Sequence, residues 1–347
     1  MVELLRWHTS LRLGGPAKKW VEARTEAELI EAVRAADDAG TPLLVLAGGS
    51  NLVVADDGFP GTVVKVATDG TVTDHEPDDG PTCGGVTVTV AAGMYWNTFV
   101  GTAVENGWVG VESLSGIPGS VGATPIQNVG AYGQEVSQTI ARVRVWDRKL
   151  RGVRTFANAD CGFGYRTSRF KADPGRHVVL DVTFQFRQGD LSAPVRYAEL
   201  AARLGIAPGE RAPLWDVHEA VLALRRGKGM VLDLDDHDTW SAGSFFTNPV
   251  VPADVVPDGA PAWPNPDGTV KTSAAWLIER AGFGKGYGLG RDSGRVSLST
   301  KHTLALTNRG NATTGELLDL AREVRDGVEK KFGIRLVNEP VLVGVEL

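Results

Sequence analysis

The stretch that most limits how this chain can fold is one that suits neither helix nor strand. Residues 113–133, SLSGIPGSVGATPIQNVGAYG, give seven of 21 positions to backbone control: Gly116, Gly119, Gly122, Gly130, Gly133, Pro118 and Pro125. Glycine opens left-handed and close-approach geometries, while proline fixes φ and removes a donor, so no regular element runs through it. A segment this long without periodicity is either a linker or a folded binding loop. Ile117, Val121, Ile126 and Val129 are poor choices for a solvated linker, which favours a folded loop around a large ligand.

A second glycine cluster, AGGSNLVV (47–54), overlaps the end of the apolar run PLLVLAG (42–48). Gly48 and Gly49 let the backbone approach a ligand, and N–H groups there, with Ser50 and Asn51, are able to hold phosphate oxygens. A tight turn is the competing reading, because neither a G-x-G-x-x-G nor a Walker loop is present.

Three polar clusters follow, each with a plainer alternative. CGFGYRTSRFK (161–171) sets Tyr165 and Arg166 after glycines, or is a basic surface turn. AGSFFTNP (242–249) sets Ser244 between Gly243 and two aromatics, or is a strand edge whose phenylalanines fill a core. RLVNEPVLVG (335–344) sets Glu339 before Pro340 in an apolar strand, as a capping group or as a desolvated carboxyl with a raised pKa.

Between these clusters the periodicity is mixed. Residues 25–39 predict an amphipathic helix with Leu29, Ile30, Val33 and Ala36 on one face and a Thr25–Glu28 capping box. Strands are expected at 42–48 and 62–66, and two-residue alternation predicts more at 85–93, 141–148 and 178–186. Residues 188–216 read as a connecting excursion, 218–229 and 315–333 as helices, 297–308 as one strand, and 251–268 as a Pro-rich surface loop. The fold class is α+β in three parts: 1–60, with a strand returning near 335–347, then 61–215 and 216–334.

Composition narrows the function. The net charge is −6, from 42 acidic and 36 basic residues with no long basic run, which argues against nucleic acid as a partner. Cys83 and Cys161, the two cysteines, lie in no metal-ligand spacing, so no zinc site and no disulfide framework are expected. The start, MVELLRWHTSLRLGG, lacks the roughly 7–15 residue apolar stretch of a signal peptide. No window reaches the ~18 apolar residues of a membrane helix. A cytoplasmic protein with no membrane partner is expected.

Taken in order, HTSLRLGGPA, AGGSNLVV, IPGSVGATPIQNVGAYG, FGYRTSRFK, GSFFTNPVV and NEPVLVG resemble the UDP-N-acetylenolpyruvoylglucosamine reductase (UDP-N-acetylmuramate dehydrogenase) family over nearly the whole chain. PVRYAEL (194–200), with Tyr197, resembles the form with an extra substrate-covering loop. The resemblance implies a two-part FAD-binding module of the PCMH/vanillyl-alcohol-oxidase type plus a smaller α+β substrate-binding domain. It implies non-covalent FAD, held by Thr9, Ala47, Gly48, Gly49, Ser50, Asn51, Ser115, Gly116, Ile117, Pro118, Gly119, Gly122, Gln127, Asn128 and Gly130. Ala47 stands where the family usually has a third glycine, which a negative φ would tolerate. Arg280 stands where some relatives have a glutamine.

The implied reaction reduces UDP-N-acetylglucosamine enolpyruvate with NADPH as co-substrate. Hydride passes through the flavin to the terminal alkene carbon, and negative charge develops toward the substrate carboxylate. Arg166 and Glu339 would stabilise that charge, Glu339 as a protonated donor, and Ser244 would protonate the carbanion centre. Tyr165, Tyr197, Lys228 and Asn248 would position the UDP-sugar, with Lys228 a point charge for the diphosphate. A monomer is expected.

Two rivals are testable. A flavin oxidase of the same superfamily often binds its flavin covalently through His or Cys, and only His8 lies near a flavin loop here. Flavin that stays with the chain after acid denaturation would favour it. A UDP-sugar-binding module without catalysis would purify colourless.

Overall fold

A computed structural model describes residues 2–75, 85–291 and 293–347. Cys83 lies outside the described residues. The chain forms two compact units, each gathered from separate stretches. Met1–Ala17, Gly49–Phe59 and Gly227–Leu347 make the first, and Lys18–Gly48 with Pro60–Arg226 make the second.

The second unit contains a small parallel arrangement. The helix Glu26–Asp38 begins at the expected capping box: Thr25 Oγ1 accepts the Glu28 N–H at 3.2 Å and the Glu28 carboxylate accepts the Thr25 N–H at 3.1 Å. Leu29, Val33 and Ala36 are buried and Ile30 is partly so. The strand Leu43–Leu46 pairs in parallel with Phe59–Val66, and Ala17–Ala23 lies on the other side of Phe59–Val66.

The larger sheet of this unit is antiparallel. Its strand order is Gly152–Ala157, Ile140–Asp147, His177–Gln188, Gly85–Ala91 and Thr71–His75, with Trp108–Val109 also against His177–Gln188. Alternation in Gly85–Ala91 buries Val86, Val88 and Val90, as a period of two requires. The helix Trp96–Glu105 lays Trp96 and Phe99 on Phe184 and Phe186, with Phe99 and Phe184 ring centroids 5.0 Å apart. Each such burial is worth roughly 1.5–3 kcal/mol, so this helix is a firm base for whatever leans on its first turn. The 188–216 excursion contains the helix Ala198–Leu204, and the helix expected from 218 starts earlier, spanning Leu214–Gly227.

In the first unit, the helix Thr314–Phe332 stops at Gly333, whose φ is +67°. It packs Leu317, Ala321, Val324 and Val328 with Phe245, Phe246, Leu277 and Leu298. Val341–Val343 pairs in parallel with Leu52–Val54.

Two expectations are corrected here. The Pro-rich tract 251–268 holds strand as well as loop: Val250–Pro252 and Ala262–Pro264 flank Thr269–Thr272 in a three-stranded sheet. Both prolines sit on edge strands, where a missing N–H costs no ladder bond. Residues 297–308 form two hairpin arms instead of one strand, Val296–Leu298 against Leu306–Asn308. Ser299 Oγ accepts the N–H groups of Lys301 and His302 at 3.0 and 3.2 Å, which turns the chain between them.

Candidate active site

In the second unit, residues 113–133 are folded, and bonds to the segment 92–97 shape them. Trp96 Nε1 donates to Leu114 O at 3.1 Å, the Gly116 N–H to Asn97 Oδ1 at 2.6 Å, and the Trp96 N–H to Gly119 O at 3.0 Å. The Gly122 N–H donates to Ala92 O at 2.8 Å, and a Cβ on Gly122 would lie 2.5 Å from Ala92 Cβ. Gly122 is therefore required by packing. The fully buried Ser115 hydroxyl donates to Glu112 O at 2.6 Å and lies 2.7 Å from His218 Nδ1. Its one proton is spent on the carbonyl, so the His218 tautomer protonated on Nδ1 completes the pair.

The far half of the loop is docked against residues 161–171. Asn128, at φ +43°, donates from Nδ2 to Glu135 Oε2 at 2.9 Å and Gly164 O at 3.0 Å, and accepts the Ser137 N–H at 3.2 Å. Lys171 Nζ donates to Gln127 Oε1 at 3.1 Å, and Arg166 Nη2 to Gly130 O at 2.7 Å. Gly164 and Thr167 exchange main-chain bonds of 3.1 and 3.2 Å, leaving Tyr165 and Arg166 at the centre of a tight turn. Arg166 has φ +53°, a conformation that costs a non-glycine residue on the order of 1–2 kcal/mol. The turn thus strains its backbone to hold a half-buried guanidinium 5.7 Å from the Tyr165 ring centroid.

At the loop's end, the Tyr132 ring meets the Tyr197 ring edge-on, with centroids 5.3 Å apart. Tyr197 is 45% exposed and directly precedes the helix Ala198–Leu204. Arg225 is buried nearby. Burial draws its pKa down to about 10, with Tyr132 opposing and Arg166 adding to the shift, so it stays cationic at neutral pH. Two guanidiniums in each other's field make a setting that favours an anion.

The first glycine cluster meets the second. A Cβ on Gly48 would lie 2.5 Å from Gly119 Cα, so the segments touch backbone to backbone. Lys65 Nζ donates to Ala47 O, and burial lowers the lysine pKa against an opposing pull from Glu22. Among the described residues Ala47 is not one of the non-glycine positions with positive φ, so its methyl group is tolerated.

The chain passes into the first unit between Gly48 and Gly49. There Gly49 has φ +61°, and a Cβ would fall 1.9 Å from His8 O. Ser10 donates its N–H to Gly49 O at 3.2 Å and its Oγ to Ser241 O at 2.6 Å, with Ser50 O 3.3 Å from the same hydroxyl, while Thr9 Oγ1 donates to Leu13 O at 2.9 Å. His8 Nε2 is engaged 2.6 Å from Glu3 Oε1. Asn51 Nδ2 donates to Glu339 O at 3.4 Å, and Asn51 O accepts the Val341 N–H at 2.9 Å.

Also in the first unit, Ser244 and Glu339 lie on neighbouring segments. The Glu339 N–H donates to Phe245 O at 2.8 Å, Phe246 bridges Asn338, and the Thr247 N–H donates to Val337 O at 3.0 Å. Phe245 and Phe246 are buried, whereas Ser244 and Glu339 are half-buried. Asn248 Oδ1 accepts the Ala274 N–H at 3.0 Å, at the start of the helix Ala274–Arg280. Arg280 lies over the Trp276 ring, 5.5 Å from its centroid. Lys228 is half-buried and precedes Gly229, whose φ is +65°. The first unit thus carries Ser244, Glu339, Lys228 and Asn248; the second carries Tyr165, Arg166 and Tyr197.

In the second unit the loop spends the polar groups of Ser115 and Asn128 on its own folding. Ser120 Oγ, by contrast, is buried without a hydrogen-bond partner among the described residues, and Ile117 is half-buried. An unspent hydroxyl in the same loop as a half-buried apolar side chain fits a flat, diphosphate-bearing cofactor such as FAD.

Residues 17–151 match a family model described as an FAD binding domain, and residues 235–343 match the UDP-N-acetylenolpyruvoylglucosamine reductase C-terminal domain. A UDP-N-acetylenolpyruvoylglucosamine reductase from Cutibacterium acnes is 60% identical over 336 residues, covering 97% of this chain and 88% of its own. The chain belongs to the UDP-N-acetylenolpyruvoylglucosamine reductase family. The UDP-N-acetylenolpyruvoylglucosamine reductase from Thermobifida fusca is 57% identical, covering 98% of this chain and 96% of its own. The crystal structure of UDP-N-acetylenolpyruvylglucosamine reductase from Thermus caldophilus matches with a TM-score of 0.61 over 99% of both chains, at 24% identity, which speaks to the fold. The expected fold class, an FAD-binding module joined to a second α+β domain, is that of the reductase family.

Four residues that shape the Gly-rich loop and its surroundings in the second unit escaped sequence reasoning. Asn97 and Trp96 sit on a helix whose buried Trp96, Phe99, Val100, Ala103 and Val104 follow helical spacing, so that signal was legible. Arg225 reads as one of a solvated Arg-Arg pair, and Glu112 as one carboxylate among many.

Proposed function

We propose that this chain reduces UDP-N-acetylglucosamine enolpyruvate to UDP-N-acetylmuramate for peptidoglycan precursor synthesis, with FAD as cofactor and NADPH as hydride source. Near full-length similarity to reductases of that family supports the reaction. The roles within the first unit rest on one observation, the bond from the Glu339 N–H to Phe245 O, which sets Ser244 and Glu339 on adjoining segments.

FAD, when bound, would supply two-electron hydride chemistry between NADPH and the substrate alkene. The protein's task is then to stabilise the enolate that forms on the substrate and to protonate it. Arg166 has a charged donor held by a strained turn, suited to the developing carboxylate charge. Glu339 shares that role. The Ser244 hydroxyl is a weak acid, and an enolate is a base strong enough to take its proton. Tyr165 positions the substrate; Tyr197, Lys228 and Asn248 hold the UDP-sugar, with the Asn248 amide oriented through its bond to Ala274. Thr9, Ser50, Asn51 and the glycine segments are the residues that would hold the cofactor. The enzyme works as a cytoplasmic monomer.

Following NADPH absorbance with and without the enolpyruvyl substrate tests the activity; substrate-independent consumption would refute it. Ser244→Ala tests the proton donor. Flavin reduction by NADPH should stay fast while reoxidation by substrate slows about 10²–10⁴-fold. Equal damage to both half-reactions would mean that Ser244 does something else.

A further inference from the structure

Glu112 is fully buried, yet it belongs to none of the groups assigned above. Its carboxylate gathers three N–H donors from three parts of the second unit. Oε2 accepts the Gly110 N–H at 2.6 Å, from the turn just before it. Oε1 accepts Gln134 Nε2 at 2.9 Å and the Ala193 N–H at 2.8 Å. Gln134 closes the far end of the Gly-rich loop, and its Oε1 accepts the Ser113 N–H at 2.8 Å, returning to the loop's beginning. Ala193 lies a few residues before Tyr197.

Glu112 therefore ties both ends of the 113–133 loop to the first turn of the Tyr197-bearing segment. That segment is closed on itself, with the Ser192 N–H donating to Ala212 O and the Val195 N–H to Glu210 O, both at 2.8 Å. Held at Ala193, it presents Tyr197 edge-on against Tyr132 at the tip of the Gly-rich loop. The contact between these rings is worth about 0.5–1.5 kcal/mol, too little to fix a surface segment alone. Val195, Leu200 and Ala201 bury the segment against Val217 and Val221, and at Ala193 it is tied to the buried Glu112 carboxylate, whose charge-assisted bonds are roughly twice as strong as neutral ones.

We propose that Glu112 is a positioning residue for substrate binding, setting the place of Tyr197 by holding Ala193 in register with both ends of the Gly-rich loop. The proposal rests on the reading of Tyr197 as a substrate contact. It predicts an effect on substrate affinity that is carried by Tyr197 and separate from flavin reduction.

The test is a double-mutant cycle on the FAD-loaded enzyme, with KM for UDP-N-acetylglucosamine enolpyruvate and the rate of flavin reduction by NADPH measured for each variant. Glu112→Gln keeps shape but sets an NH2 group against a buried N–H in either amide orientation. Its KM should rise about 10-fold, with FAD retained and flavin reduction within about twofold of wild type. Tyr197→Phe alone should raise KM, and adding Glu112→Gln to it should then change KM less than about twofold, because the two act through one contact. Multiplying effects, or an unchanged KM for Glu112→Gln beside a raised one for Tyr197→Phe, overturns the proposal. An unchanged KM for Tyr197→Phe would instead remove the underlying reading of Tyr197. Should Glu112→Gln not accumulate as holoenzyme, Ala193→Pro removes the donor on the substrate segment while also fixing φ there and restricting Ser192, and an unchanged KM in that variant overturns the proposal too.

Discussion

Gly48→Ala separates packing from backbone strain at the contact between the two glycine segments. Gly48 is not at a positive φ, so alanine meets no conformational objection there. The obstacle is steric: the new Cβ would lie 2.5 Å from Gly119 Cα and 3.0 Å from Gly119 C. Ordinary carbon contacts are about 3.5–4.0 Å, so the segments must part by about 1 Å. Both neighbours are main chain, and no rotamer relieves the overlap. Overpacking of this kind costs about 1–3 kcal/mol. If that cost falls on the FAD-bound arrangement, affinity drops roughly 5- to 150-fold. Gly133→Ala is the control, since φ is +86° there but no atom lies within 4 Å of the added carbon. It should cost about 1–2 kcal/mol in thermal or urea stability and change FAD affinity less than about twofold. Fluorescence titration of apoprotein with FAD, beside melting curves, reads both quantities. Wild-type affinity in Gly48→Ala, or an equal loss in Gly133→Ala, would refute the reasoning.

Two further predictions concern groups away from the chemistry. The Arg176 bond at 2.8 Å holds the buried Asp147 carboxylate down to about 2 from 3.8, with the Leu150 N–H helping against desolvation. A depressed folded pKa stabilises above the unfolded value, so this contribution is whole above about pH 4 and fades as pH falls through 2. Discounted for screening by solvent, it amounts to about 1–2 kcal/mol. Urea unfolding should show Asp147→Asn less stable at pH 7 with the gap closing toward pH 2; a gap independent of pH contradicts this. Burial pushes the Cys161 thiol up to about 11, and its Sγ sits 3.3 Å from Ala157 O. Iodoacetamide at pH 8 should leave the Cys161 peptide unmodified until urea is added, as read by mass spectrometry, and rapid labelling of the folded protein would rule this out.

What the sequence made legible is what depends on near neighbours. The Thr25–Glu28 box, the alternation of Val86, Val88 and Val90, and the Gly333 stop all involve residues within a few positions, and each is found in place. The irregular shape of residues 113–133 was equally plain from glycine and proline content. Its anchors were not, because Trp96, Asn97 and His218 reach it from other elements. Ala17–Ala23 escaped notice because only its two ends are buried, leaving no clean alternation. The 297–308 run looked continuous because its turn residues, Lys301 and His302, are held by a serine hydroxyl instead of by glycine. Motif order placed the candidate chemistry more sharply than periodicity did, and the strained φ of Arg166 is visible in the fold alone.

The parallel pairing of Leu52–Val54 with Val341–Val343 has a consequence for how the molecule is made. On a ribosome, the earlier strand emerges with its partner still unwritten. At about 5–20 residues per second, the intervening chain takes on the order of 15–60 s to synthesise. Throughout that interval the edge of Leu52–Val54 is bare, next to the glycine cluster. A nascent chain stalled short of Val341 would carry that unpaired edge, and with it the aggregation risk that open strand edges bring.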